Sequence, residues 1–239
     1  AELSALLDVV LDAGPSPALP PRRILKLAPS ESIQFPVSIP HDDAVVAWYL
    51  QGNGDTWNDR AMTALTAQII SSGFFDQLRT EQQLGYVVGA YNYPREQVPG
   101  LLLLVQSPSA DAAAVALAMQ AFMTGVTPLL QTEQFKRHKA ALISDILRPD
   151  KNLAERAEHY WRSIARKEYD FAGRETMAAA VEAITLQDWT SYYADVFIAQ
   201  RHALQVVAPG RRGKLPQGRF EVVESAAAIK RDHATYLAD

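Results

Sequence analysis

Arg79 and Tyr86 stand out in the run "FFDQLRTEQQLGYVVGAYNYP" (Phe74–Pro94), a fixed cation and a phenol inside an otherwise apolar stretch. An arginine keeps its charge at any working pH, and its planar fork of N–H donors matches carbonyl and carboxylate oxygens. A tyrosine hydroxyl can donate to an oxygen on which negative charge develops, and one such preorganised donor lowers a barrier by about 2.7–4 kcal/mol. These two residue types together suit contact with a carbonyl or carboxylate oxygen and with an oxyanion. The plainer alternative pairs Arg79 with Glu81 or another surface acid and makes Tyr86 one more strand aromatic, since exposed arginine pairs are common and contribute little.

The rest of the chain offers no complete catalytic set. The five histidines are His41, His138, His159, His202 and His233. No two are four apart, so neither H-E-x-x-H nor its inverted form H-x-x-E-H can be written. The nearest approach to a ligand cluster is Glu155, Glu158 and His159 in "AERAEHYW". On a helix Glu155 and His159 share a face, but one pair gives two donors where zinc needs at least three, so a solvated face is the better reading. A free-standing hydrolase built on that trio is the weakest hypothesis, and replacing His159 would have to abolish its activity. Ser71-Ser72-Gly73 lacks the flanking glycine and preceding strand of a nucleophile elbow, and "GNGDTW" is a turn rather than a phosphate loop. "PGRRGKLPQGR" is a locally basic, exposed loop. The absence of cysteine excludes disulfides, thiolate ligands and a cysteine nucleophile, and leaves reducing and oxidising compartments equally open.

The elements that must position Arg79 and Tyr86 can be read from periodicity. The 239 residues are 48% apolar with a net charge of −4, so a sizeable core is available and no general attraction to nucleic acid or anionic membrane follows. No apolar run approaches the ~20 residues of a membrane span. "AELSALLDVVLDAG" reads as the end of a helix without a basic leader, and "GPSPALPPRR" as an extended connector, because each proline fixes its own φ and biases its predecessor away from helix. The chain therefore reads as a piece of something longer, with 1–21 the end of a preceding unit and its connector, and 22–239 one domain. "RRILKL", "SIQFPVSI" and "DAVVAWYLQG" are strands. A helix spans Asn58 to Ile70 and stops at Ser71-Ser72-Gly73. A short turn then leads into the strand "LGYVVGAYNY", whose partner "LLLLVQS" is expected to be buried on both faces. Apolar stripes predict five more helices. Val115, Ala118 and Phe122 mark one that ends near Gly125; Phe135, Leu142 and Ile146 mark the next. Leu153, Ala157, Tyr160, Trp161 and Ile164 mark the third, with Asn152 as N-cap and Glu155 three residues on. Met177, Ala180, Val181 and Ile184 precede Trp189, Tyr192, Tyr193 and Val196, the last group opened by a capping box at Thr185. "RHALQVVAP" returns to strand, and "SAAAIKRDHATYLAD" reads as a terminal helix. The expected fold class is α+β, a mainly antiparallel sheet with helices packed on one face.

"FFDQLRTEQQLGYVVGAYNY", followed by "GLLLLVQS", closely resembles the C-terminal half of the pitrilysin and insulin-degrading branch of the M16 zinc metallopeptidases. The family pattern F-x-x-L-R-T-x-x-Q-L-G-Y is matched at Phe75, Leu78, Arg79, Thr80, Gln83, Leu84, Gly85 and Tyr86. A second block, from "LAERAEHYWRSIARKEYDF" onward, resembles the family's helical region, and the likeness runs from about Arg22 to Val207. It departs at Ala172-Gly173-Arg174, where relatives often have Asp-Arg directly. The resemblance implies the last, non-catalytic domain of a clamshell peptidase whose H-x-x-E-H zinc site lies in the N-terminal half. It implies that Arg79 and Tyr86 face the chamber as auxiliary catalytic and substrate-binding residues, with Phe75 lining the same wall. No metal is expected in this chain. The expected partners are the N-terminal half of the same polypeptide and a peptide substrate, with no nucleic acid or membrane. M16-like folds also serve as scaffolds without peptidase activity, which is the alternative.

Overall fold

A computed structural model describes residues 23–237, apart from 166–167 and 169–170. The expected amino-terminal helix and connector lie outside the described residues. The strands are Arg23–Leu25 (β1), Ser32–Pro36 (β2), Ala44–Gln51 (β3), Val87–Asn92 (β4), Gly100–Ser107 (β5), His202–Ala208 (β6), Glu221–Val222 (β7) and Thr235–Leu237 (β8). The α-helices are Trp57–Phe75 (α1), Ala112–Leu129 (α2), Thr132–Ile146 (α3), Leu153–Ala165 (α4), Gly173–Ala183 (α5), Leu186–Tyr192 (α6) and Ala226–Asp232 (α7). π-helical turns continue α1 over Asp76–Glu81 and α6 over Tyr193–Ala199.

The main sheet has the order β4-β5-β3-β6-β2-β7. β4, β5, β3 and β6 pair antiparallel, whereas β2 joins β6 and β7 in parallel, so the sheet is mixed with an antiparallel majority. Register puts Val46 beside Val105 on one side and Val207 on the other, and all three are fully buried. Strict alternation follows: Val46, Trp48 and Leu50 face the helices, while Ala47 and Tyr49 are only half-buried on the other face. The same holds in β5, where Leu101, Leu103 and Val105 are buried but Leu102 and Leu104 are not, so the strand is sealed on one face and not on both as its composition suggested. The α+β class and the main helical layer on one face are as the sequence implied, while the short α7 packs through Ile229 near Phe35 and Leu204 on the other face.

The helical layer is fixed by few polar bonds. The Trp189 indole N–H donates to Thr66 Oγ1 at 3.0 Å, and the Thr66 hydroxyl donates to the Met62 carbonyl at 2.7 Å. The Tyr193 hydroxyl donates to the Met123 carbonyl at 2.6 Å, and burial pushes its pKa up. Thr56, Asp111, Asn152 and Ser225 accept from backbone N–H groups in the first turns of α1, α2, α4 and α7, and Thr185 with Asp188 forms the expected capping box of α6. α5 starts at Gly173, and Arg174 beside it donates to Asp150 Oδ1 at 2.7 Å.

Three expectations are corrected. α1 does not stop at Ser71-Ser72-Gly73 but runs on to Phe75, because Gly73 lies against the edge of the Phe122 ring and the helix gains that packing. α2 passes Gly125 and ends at Leu129. The terminal helix is short: after Asp232 the chain leaves as β8 and pairs antiparallel with β1, a non-local partner that periodicity cannot reveal.

His233 ties this last segment to the body. Its ring nitrogens contact Glu31 Oε1 at 2.5 Å and the Ile229 carbonyl oxygen at 2.6 Å. Burial pulls the imidazole pKa down, but the bonds to Glu31 and Ile229 outweigh it, and the net shift is upward from 6.5. The folded state therefore favours the protonated ring. Its stabilisation is complete below 6.5 and disappears as pH climbs through the raised folded value. The urea midpoint should fall as pH rises past 6.5, and His233→Asn should flatten that part of the profile. Identical slopes for the two proteins would contradict the assignment.

Candidate functional site

The connection from α1 to β4 places the residues singled out in the sequence. Phe74 and Leu78 are fully buried, Phe74 edge-on to Phe122 at 5.2 Å. They pin the end of α1 and the π turn to the core. With those two turned inward, Phe75 (39% exposed) and Arg79 are left on the surface. The Gln82 N–H reaches the Gln77 carbonyl at 3.0 Å, the wide i to i−5 spacing of a π turn.

Beyond it the chain reverses sharply. Gln83 takes a left-handed backbone, φ 52°, uncommon for a residue with a side chain. The Leu84 N–H donates to the Leu78 carbonyl at 3.0 Å, and the Leu84 side chain packs against the core. Gly85 follows with its Cα pressed on β5, where a Cβ would lie 1.9 Å from the Gln106 carbonyl oxygen. Only glycine permits that approach. Tyr86 then enters β4 with its ring 61% exposed.

These constraints bring Arg79 and Tyr86 together. The Arg79 guanidinium donates to the Tyr86 main-chain carbonyl and sits 5.1 Å from the centre of the Phe75 ring. Among the described residues Arg79 has no carboxylate partner, so pairing with Glu81 is not its role. The three residues form one exposed group: a ring, a guanidinium stacked on it with N–H donors to spare, and a phenol on the strand that the guanidinium holds. The guanidinium keeps N–H donors for a carbonyl or carboxylate oxygen, and the exposed phenol keeps one O–H donor. Sequence reasoning named Phe75, Arg79 and Tyr86 but missed the device that orients them, Gln83 and Gly85; the signal was present as a non-glycine and a glycine flanking Leu84.

Glu155, Glu158 and His159 do not form a metal site. Glu155 accepts from the Lys151 N–H at 2.8 Å, Glu158 pairs with Arg162 at 3.6 Å, and His159 stacks on Tyr160 with Asp150 3.9 Å away. Among the described residues no three His, Cys, Asp or Glu side chains converge to hold an ion, so the donors here do not fit zinc. A separate cavity of about 510 Å³ opens on the half-buried face of the sheet beneath β1 and α7, lined by Phe35, Tyr49, Leu102, Leu204 and Ile229. Burial pushes the Tyr49 phenol up to about 12, with Arg95 pulling against it.

Residues 65–161 match a protein family described as "PQQ synthase PqqF-like, C-terminal lobe domain 4". The A-factor-processing enzyme of Saccharomyces cerevisiae is 30% identical over 142 residues, which is 59% of this chain and 14% of the yeast protein. Among solved structures, pitrilysin superposes over 100% of this chain and 26% of its own, with a TM-score of 0.87 and 21% identity. A peptidase M16 inactive domain from Pseudomonas fluorescens covers 92% of this chain and 52% of its own, with a TM-score of 0.62 and 15% identity. The chain thus spans 14–20% of the length of the first curated relatives it matches, and both structures contain further polypeptide.

Proposed function

Because its sequence and fold match the inactive C-terminal lobe of M16 peptidases, we propose that this chain acts as the non-catalytic closing domain of a zinc metalloendopeptidase. In this reading the zinc and the general base belong to the N-terminal half of the same polypeptide. This chain supplies Arg79, Tyr86 and Phe75 to the substrate. The observation that carries it is the grouping of a guanidinium, a phenol and a ring on one exposed turn, with Arg79 bonded to the backbone of Tyr86.

The residues would work as follows. Phe75 offers an apolar contact for a substrate side chain. Arg79 fixes the start of β4, and its remaining N–H groups donate to a peptide carbonyl. The Tyr86 hydroxyl donates to the scissile oxygen as charge builds on it, an interaction stronger in the transition state than in the ground state. The chemistry that zinc supplies, polarising that carbonyl and activating water, takes place on ligands outside this chain. Residues 22–239 act as one domain in this reading, and 1–21 as the link to the unit before it.

Mixing this chain with the separately produced remainder of the polypeptide tests the proposal. Neither piece should cleave a quenched peptide alone, and the mixture should. Arg79→Ala should then reduce kcat/KM by about tenfold or more, since charge-assisted hydrogen bonds contribute roughly 1.5–3 kcal/mol. No cleavage by the mixture, or wild-type turnover with the variant, would refute it. The absence of H-x-x-E-H from the remainder would favour a scaffold.

A further inference from the structure

α4 lies the wrong way round for a surface helix. Leu153, Ala157, Tyr160, Trp161 and Ile164 recur at the spacing of one helical face, which ordinarily packs inward. Yet α4 contains no buried residue. Its half-buried positions are His159 and Ser163, on a polar edge. The apolar face points outward: Leu153 is 82% exposed and Trp161 63%. Phe171 continues the surface, edge-on to Tyr160 at 5.7 Å, and Leu147 joins Leu153, Tyr160 and Phe171 around one shallow hollow. Monomeric proteins rarely leave an apolar patch larger than a few hundred Å² open to water.

We infer that this face is an internal docking surface, covered by an apolar face of the adjoining unit of the same polypeptide. The inference rests on the proposed function in taking the chain as part of a longer one. Two observations favour this occupant. Both solved relatives carry further chain beside the matched part, 48% of it in the Pseudomonas fluorescens structure, where this chain covers 52%, so a unit of similar size is available. Charges beside the face are also partnered within the chain: Arg162 with Glu158, Arg174 with Asp150, and Arg156 with the Tyr160 hydroxyl. Charges already partnered within the chain suit a permanent, core-like contact rather than a steered encounter with a charged ligand.

Hydroxyl-radical footprinting of the full-length polypeptide and of this chain reads the contact directly. Trp161 and Phe171 should oxidise at least about tenfold more slowly in the full-length protein, as buried side chains do relative to exposed ones. Leu153→Arg with Trp161→Arg should weaken binding of the separately produced remainder by roughly tenfold or more. The same change should leave the unfolding midpoint of this chain unaltered. Equal oxidation in both forms, or undiminished binding by the double variant, would overturn the inference. So would protection in this chain alone together with a dimer mass in ultracentrifugation, because the occupant would then be a second copy. None of these readouts uses turnover, so docking can hold while the role of Arg79 and Tyr86 fails, and the reverse.

Discussion

On the proposed role, Tyr86→Phe in the complete polypeptide is expected to lower kcat for peptide cleavage by about 10²–10³, the loss measured when a single oxyanion donor is removed elsewhere. The substitution deletes one oxygen from a ring already 61% exposed. Among the described residues that hydroxyl has no partner, so nothing in the fold depends on it. Unfolding midpoints of the two proteins should agree within about 0.5 kcal/mol, as for surface changes generally. KM should hardly move, because the bond forms only as the carbonyl becomes an oxyanion. A rise in KM with unchanged kcat would assign Tyr86 to ground-state binding instead, and unchanged turnover would remove it from the chemistry.

Gly85→Ala should be damaging in a different way. Its new methyl would sit 1.9 Å from the Gln106 carbonyl oxygen and 2.9 Å from that carbonyl carbon. Both atoms are backbone of β5, held on its two sides by β4 and β3, so they cannot rotate away as a side chain would. The start of β4 has to lift off the sheet, at a cost of about 1–3 kcal/mol by analogy with overpacked sites. Lifting moves the Tyr86 carbonyl away from Arg79, so the group loses its geometry along with stability. The expected result is a lower urea midpoint for this chain and, in the complete protein, a fall in kcat accompanied by a higher KM. An alanine variant with wild-type stability would show that β4 does not press on β5 at this point.

The sheet was legible because burial on one face of a strand imposes a period of two, and β3 and β5 display it plainly. The helices were legible in position but less so in extent. Gly73 and Gly125 read as stops by intrinsic propensity, but Gly73 lies against Phe122, and just past Gly125 the Val126 side chain packs on the core. α4 shows a different limit: its apolar stripe was recognised, but amphipathic spacing states only that a face will be covered and not by what. Pairing of β8 with β1 joins residues about two hundred positions apart and leaves no local trace. For the site, residue chemistry alone could not choose between a surface ion pair and an oxyanion clamp. The clamp is the proposal that the resemblance suggests, and the bond from Arg79 to the Tyr86 backbone is what a sequence could not supply.

The π turn over Asp76–Glu81 carries one more residue per loop of backbone than the α-helix that leads into it. Deleting Gln77 would set Leu78 and Arg79 each one position back along the backbone, a rotation of about 100° around a helix axis. Leu78 and Arg79 would exchange sides, the leucine towards water and the guanidinium towards the core. At this turn spacing is therefore as binding as identity: many exchanges of Gln77 should be harmless, whereas its loss should not.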